Sequence, residues 1–133
     1  MKHHSLGRLV VVLSLILLAG CDGSNALRGE PVSQSISPNG RVVALTTRYS
    51  GNATVAFVDR VYMKSAADNR IQLILKADKA SKIALKWIDD RHLQVDVSCA
   101  QIFSYTNFFY LMKDGELVYP VSIDLVNHGL CGT

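Results

Sequence analysis

Residues 82–98, KIALKWIDDRHLQVDVS, constrain the fold more than any other part of the chain. Ile83, Leu85 and Trp87 alternate with Ala84 and Lys86; after the turn Asp89-Asp90-Arg91, Leu93, Val95 and Val97 alternate with Gln94, Asp96 and Ser98. A period of two puts alternate side chains on one face of a strand. Two such runs joined by a short polar turn make a hairpin with one apolar face, which a second layer must cover. The same period recurs elsewhere. Behind Ser37-Pro38-Asn39-Gly40, a turn by composition because Pro presets φ and Asn-Gly accepts positive φ, Val42, Ala44 and Thr46 alternate with Val43, Leu45 and Thr47. Residues 54–64 put Val55, Phe57, Asp59, Val61 and Met63 on one side and Ala56, Val58, Arg60, Tyr62 and Lys64 on the other. With both faces partly apolar, this strand is expected to be central or bent. Residues 65–69 make a short turn, after which Ile71, Leu73 and Leu75 alternate with Gln72 and Lys76, broken only by Ile74.

A second hairpin is expected from residues 108–112 and 117–125 around Lys113-Asp114-Gly115-Glu116, because Asp-Gly suits the positive φ angles of a tight β-turn. Pro120 has no N–H to donate, so the returning strand should lie at an edge or carry a bulge. No segment has a convincing helical period. The fold expected for residues 36–133 is all-β, a single small antiparallel meander or sandwich of six to seven strands with one disulfide.

Ahead of that domain, residues 1–8 carry Lys2 and Arg8 and no acid, and residues 9–18 are apolar except for Ser14. Ten helical residues reach only about 15 Å, roughly half the hydrocarbon core of a bilayer, so this is a secretion signal rather than a span. His3 and His4 fall inside it and carry no expectation of metal binding. At its end, Leu18-Ala19-Gly20-Cys21 resembles the lipobox of bacterial lipoproteins, in which small residues fit the signal peptidase and the cysteine is acylated before cleavage in front of it. The resemblance covers all four positions. It implies a signal peptide over residues 1–20, a mature chain starting at a lipidated Cys21, and attachment to the membrane without a spanning helix, since two or more acyl chains anchor stably. Asp22 resembles the acid that keeps lipoproteins of Gram-negative enteric type in the inner membrane, which implies the periplasmic face of that membrane; in a host with a single membrane the anchor implies its outer face. Residues 21–35 are polar, with two glycines and a proline, and read as a flexible linker.

The chain has three cysteines, Cys21, Cys99 and Cys131. With Cys21 lipidated, the other two remain to pair in an oxidising compartment. A Cys99–Cys131 bridge would close a loop of about 30 residues and stabilise by roughly 3–4 kcal/mol in the chain-entropy model. Two cysteines 32 residues apart, with only His128 close to either, lack zinc-ligand spacing. Charge singles out no partner. Removal of Lys2 and Arg8 leaves 12 basic residues against 11 acidic ones, a net of +1, which is no nucleic-acid footprint. Lys76, Lys79, Lys82 and Lys86, interrupted by Asp78, read as a solvated loop and strand face in preference to a lipid-binding patch.

Two stretches carry a further resemblance. SPNGRVVAL resembles the SPDGK turn-plus-strand of bacterial β-propeller blades, and LKWIDDRHLQVDV resembles the tryptophan-bearing half of the same unit. A propeller needs at least about four blades of about 40 residues, and this domain has room for two. A closer resemblance, over residues 37–97, is to small uncharacterised bacterial envelope lipoproteins in which an SPDGK-type strand opens a β-meander and a tryptophan-bearing hairpin follows. That resemblance implies no activity.

For catalysis, Asp89, Asp90 and His92, with His128 from elsewhere, are the candidate constellation. A catalytic histidine needs an orienting acid and a nucleophile within hydrogen-bond reach. The chain has no Gly-x-Ser-x-Gly, His-Glu-x-x-His or phosphate-binding glycine loop, and Asp89-Asp90 reads more simply as a hairpin turn. No enzyme activity, cofactor or metal is expected. The candidate interaction surface is Phe103, Tyr105, Phe108, Phe109 and Tyr110, five aromatics in eight residues beside Ser, Thr and Asn. The competing reading places Phe103, Phe108 and Tyr110 in the core and rim of a small sheet. The expected function is a non-enzymatic, lipid-anchored binding module whose partners are the membrane, through the anchor, and an envelope protein. The alternative is a small ligand-binding or hydrolytic lipoprotein with a site near His92.

Overall fold

The computed structural model describes residues 27–51, 54, 56–129 and 131, and among these there is no helix. Nine strands follow one another: β1 (Glu30–Ile36), β2 (Val42–Tyr49), β3 (Val58–Ser65), β4 (Ile71–Asp78), β5 (Lys82–Asp89), β6 (His92–Ser98), β7 (Gln101–Tyr105), β8 (Phe108–Lys113) and β9 (Glu116–Asn127). They build a five-stranded sheet in the order β1-β2-β3-β4-β7 and a four-stranded sheet in the order β5-β6-β9-β8. The all-β class and the disulfide are as expected, with nine strands where six to seven were read.

The period-two runs account for the pairing. In the β5–β6 hairpin Ile83, Leu85 and Trp87 stand opposite Val97, Val95 and Leu93, so the two apolar sets share one face. The β8–β9 hairpin turns at Asp114 and Gly115, both at positive φ (51° and 78°), and Lys113 pairs with Glu116. β3 is central, as its two-sided pattern required: Val61 and Met63 are wholly buried on one face, and Tyr62 is buried on the other. The two sheets face each other across a core in which Val42, Val61, Met63 and Leu75 meet Leu93, Val95, Phe109, Val121 and Ile123. Polar clasps join the sheets at their margins. The Trp87 indole N–H donates to the Ser35 carbonyl (3.2 Å), and Asn39 of the Ser37–Gly40 turn donates to the Tyr119 hydroxyl (2.8 Å).

Two expectations need correction. Residues 30–35 were read as linker, but they form most of β1. The strand looked like linker because it is a solvent-exposed edge whose side chains toward β2 are small and polar, with Ser33 and Thr46 hydroxyls 2.5 Å apart. The remainder of the linker before residue 27, the signal peptide and Cys21 and Asp22 lie outside the described residues. Second, β9 pairs antiparallel with β8 but parallel with β6, from His92↔Ser122 to Val97↔Asn127. The chain passes from β6 through β7, on the other sheet, and β8 before β9 returns beside it, so the sheet is mixed and not purely antiparallel. The expectation for Pro120 holds: β9 is internal in its sheet but carries a bulge, with Val118 unpaired between Met112↔Leu117 and Leu111↔Tyr119. Its pairing with β6 begins only at Ser122, so at Pro120 the strand has β8 alone as neighbour, and a register shift follows at Leu111/Met112. The missing N–H of Pro120 therefore sits on a locally open edge.

The parallel ladder also explains the disulfide. It carries the chain past Asn127, where the His128 N–H donates to the Val97 carbonyl (2.9 Å), and so brings Cys131 back to Cys99, with Cα atoms 4.5 Å apart.

One buried charge departs from the apolar pattern. Asp59 is 3% exposed on the core-side face of β3, and Arg48, opposite it on β2, donates to it through Nε (2.7 Å) and an η nitrogen (3.2 Å) and also to the Ala80 carbonyl (3.1 Å). The carboxylate holds the guanidinium pKa above its ordinary value, chiefly through these hydrogen bonds. Truncating one partner leaves the other charge buried and unpaired. Arg48→Ala is expected to cost about 3–5 kcal/mol by urea denaturation, whereas a loss within the range of an ordinary surface substitution would show that Asp59 is satisfied without it.

Candidate functional site

The aromatic segment lies where the chain leaves one sheet for the other. β7 ends at Tyr105, the Thr106 N–H donates to the Ile74 carbonyl of the five-stranded sheet (2.8 Å), and the Asn107 carbonyl accepts from Ile123 of the four-stranded sheet (2.8 Å). Two residues thus bridge the sandwich, and the five rings are divided between its surfaces and its core. Phe103 is 54% exposed with the Lys76 ammonium 5.8 Å from its ring centre, on the outer side of the five-stranded sheet. Tyr105 is 39% exposed, and its hydroxyl donates to the Ile123 carbonyl across the gap between the sheets. Phe108 and Tyr110, 40% and 50% exposed, stack with centroids 6.5 Å apart on the outer side of the four-stranded sheet, opposite Ser122 and Pro120. Phe109 alone is fully buried.

This division reverses the core reading of the segment. In β8 the core positions are Phe109 and Leu111, and Phe108 and Tyr110 point away from them. Strand parity carried that signal: Phe109 and Leu111 share register with Val121 and Tyr119, the apolar inner set of β9. The outer margins of β7 and β8 differ. Two side chains at the start of β4 reach the β8 margin: Arg70, just before the strand, donates to the Tyr110 carbonyl, and the Gln72 amide lies 3.5 Å from the Phe108 carbonyl. β7 ends its sheet with nothing paired beyond it among the described residues, and Gln101, Phe103, Ser104 and Tyr105 are exposed. Neither the β4 clasp nor the open β7 margin had a signal in local sequence, because both depend on sheet order.

The alternative constellation is placed differently. His92 Nδ1 is 3.3 Å from Asp89 Oδ2, with both side chains about half exposed at the tip of the β5–β6 hairpin. The Arg91 N–H, and then the His92 imidazole, hold the Asp89 carboxyl below its ordinary range. Ser122, beside His92 in the parallel ladder, donates its hydroxyl to the Arg91 carbonyl (3.3 Å). His128 is elsewhere, 3.8 Å from Asp96. Asp89 is thus the acid beside His92, while Asp90 takes no part in the pair. Two cavities open away from these groups. One, of about 380 Å³, lies between Arg41, Ala66, Leu111, Met112, Lys113 and Val118; the other, also about 380 Å³, is walled by Arg28, Gly29, Tyr49 and Arg60. Of the lysines read as a solvated loop and strand face, Lys76 lies on β4 and Lys82 and Lys86 on β5 of the other sheet.

Comparison with protein families, with curated proteins and with solved structures found no match to this chain.

Within the segment, the Tyr105 phenol is shifted from its ordinary titration. Burial, and then the negative charge of Asp124, push its pKa above the ordinary value, with a hydrogen bond from Leu125 opposing. A phenol whose folded pKa is raised favours folding below the unfolded value of about 10, and that contribution disappears as pH rises through the folded pKa. Tyr105→Phe is therefore expected to flatten the loss of stability above about pH 10, at a cost near 1 kcal/mol at neutral pH for the lost hydrogen bond. Urea midpoints of both proteins across that range make the check, and parallel curves would exclude a Tyr105 contribution.

Proposed function

We propose that this chain is a lipid-anchored envelope protein that acts as a non-enzymatic docking module. The observation that carries the reading is the stacked, outward pair Phe108 and Tyr110 on the four-stranded sheet, together with the open margin of β7 on the five-stranded one. Aromatic side chains with polar tips supply large contact area at little conformational cost and are enriched in protein interfaces. An unpaired strand edge adds main-chain hydrogen bonding, so an extended segment of another envelope protein can join the sheet at β7, and Phe108 and Tyr110 offer a separate aromatic contact on the other sheet. The Leu18-Ala19-Gly20-Cys21 sequence supports the anchor, and the disulfide fits an oxidising compartment. The exposed Asp89–His92 pair, with the neighbouring Ser122 hydroxyl bonded to backbone, favours a structural turn over a nucleophilic centre.

The test uses a photoreactive amino acid placed in living cells at Phe108 and, as a control on the same sheet's far strand, at Lys86. A discrete heavier adduct from Phe108 and none from Lys86 is the expected result; equal, diffuse or absent crosslinking at both positions would remove the docking surface. The anchor is read separately. Cys21→Ala should leave an unprocessed precursor or a released protein, and normal processing with retained lipidation would refute it.

A further inference from the structure

The chain enters the fold across the outer face of the five-stranded sheet. The Arg28 N–H donates to the Tyr62 hydroxyl (3.2 Å), its carbonyl accepts from the Thr47 hydroxyl (2.6 Å), and Gly29 passes so close to Arg48 that a Cβ there would lie 2.9 Å from backbone atoms. Gly29 has φ of 96°, which L side chains rarely adopt, so both space and backbone geometry favour glycine at this crossing. This pinning buries Tyr62 and Thr47 on a face that is otherwise turned away from the core. It also shortens the tether. Leu27 is six positions after Cys21, and a fully extended chain of six residues spans at most about 20 Å.

The face that the tether crosses is charged unlike its counterpart. By register, Arg60, Lys64 and Lys76 lie on the outer side of the five-stranded sheet with Asp78 as the acid beside them, and Arg28 crosses over them, for a net of +3. On the outer side of the four-stranded sheet Lys82 and Lys86 are balanced by Asp96 and Asp124. The basic face also exposes Tyr49, Leu73 and Phe103. Within it, Arg28 and Arg60 wall the second cavity together with Gly29 and Tyr49, and one η nitrogen of Arg60 is buried without a hydrogen-bond partner among the described residues. A buried guanidinium N–H without a partner is costly, and two arginines lining one cleft supply the kind of charged donors that a phosphate accepts.

We propose that the Arg28–Arg60 cleft binds the phosphate of an anionic phospholipid headgroup, so that the outer face of the five-stranded sheet lies against the bilayer that holds the anchor. The inference rests on the lipid-anchor reading and adds an orientation to it. Lys64 and Lys76 contribute long-range attraction to the same anionic surface, and Tyr49, Leu73 and Phe103 meet its interfacial layer. Phe108 and Tyr110, on the other sheet, then face away from the membrane and toward proteins.

The processed full-length protein in nanodiscs of phosphatidylcholine, with or without phosphatidylglycerol, provides the test. Hydroxyl-radical oxidation is read at Tyr49, Leu73 and Phe103, with Phe108 and Tyr110 as the opposite-face control. Several-fold protection of the first group is expected only in phosphatidylglycerol discs, and it should be lost in Arg28→Gln/Arg60→Gln protein that remains disc-bound. Equal oxidation of the wild type in both discs overturns the proposal without reference to the variant. Protection reproduced by millimolar inorganic phosphate over phosphatidylcholine discs overturns the headgroup assignment in favour of a soluble anion. The mass of the N-terminal peptide reports the anchor independently: an unmodified Cys21 refutes the lipid-anchor reading, while a lipidated Cys21 with equal oxidation refutes the orientation alone.

Discussion

Parallel neighbours in a sheet cannot be joined by a tight turn, and β6 and β9 are parallel neighbours. The connection between them must leave the sheet and return, and here it does so through strands. β7 completes the five-stranded sheet, Thr106 and Asn107 cross the sandwich, and β8 then builds the far edge of the four-stranded sheet. The location of the aromatic segment follows from that path, because it is the crossing. So does the disulfide, because the same ladder delivers Cys131 to Cys99. The bridge closes a loop that contains β7, β8 and β9, so it restrains the part of the chain with the longest-range pairing, where closure entropy is greatest.

Both predicted hairpins were legible in the sequence because each is a local object with its own signal, alternation in β5–β6 and Asp114-Gly115 in β8–β9. The parallel ladder was not legible, since no local pattern distinguishes a strand that pairs with its hairpin partner from one that also pairs with a strand 30 positions earlier. β1 escaped detection for a different reason. An edge strand that sends only Ser33 and Ser35 toward its neighbour has the composition of a linker, and Pro31 reinforces that impression. Asp59 was visible as a charge in an apolar set, and its partner Arg48 occupies the facing position on the preceding strand; recognising them as a pair required the β2–β3 register. Within the candidate site, the cluster of aromatics was plain but its division was not. Phe109 is core and Phe108 is surface because strand parity decides between adjacent, chemically identical residues.

The core is filled by aliphatic side chains with Met63, Phe109 and Tyr119, and the docking proposal rests on the outer surfaces. Those surfaces are unequal. One sheet presents a basic face crossed by the incoming chain; the other presents the Phe108–Tyr110 pair on a face of balanced charge. On the proposed reading, a sandwich held at one face by lipid and headgroup contacts, with its aromatic face directed outward, would give a small domain a fixed orientation from which to engage a partner. The proposed membrane attachment would also confine both partners to a thin layer, which raises effective concentration and permits a modest interface to suffice.

Outward presentation of Phe108 and Tyr110 to a partner is the central claim, and the most direct measurement compares their oxidation by hydroxyl radicals in intact cells with that in the purified protein. The account predicts strong oxidation of both rings in the purified protein and marked protection in the cell envelope, with exposed Ile88 at the other margin of the sheet unchanged. Equal oxidation of Phe108 and Tyr110 in the two settings would contradict it.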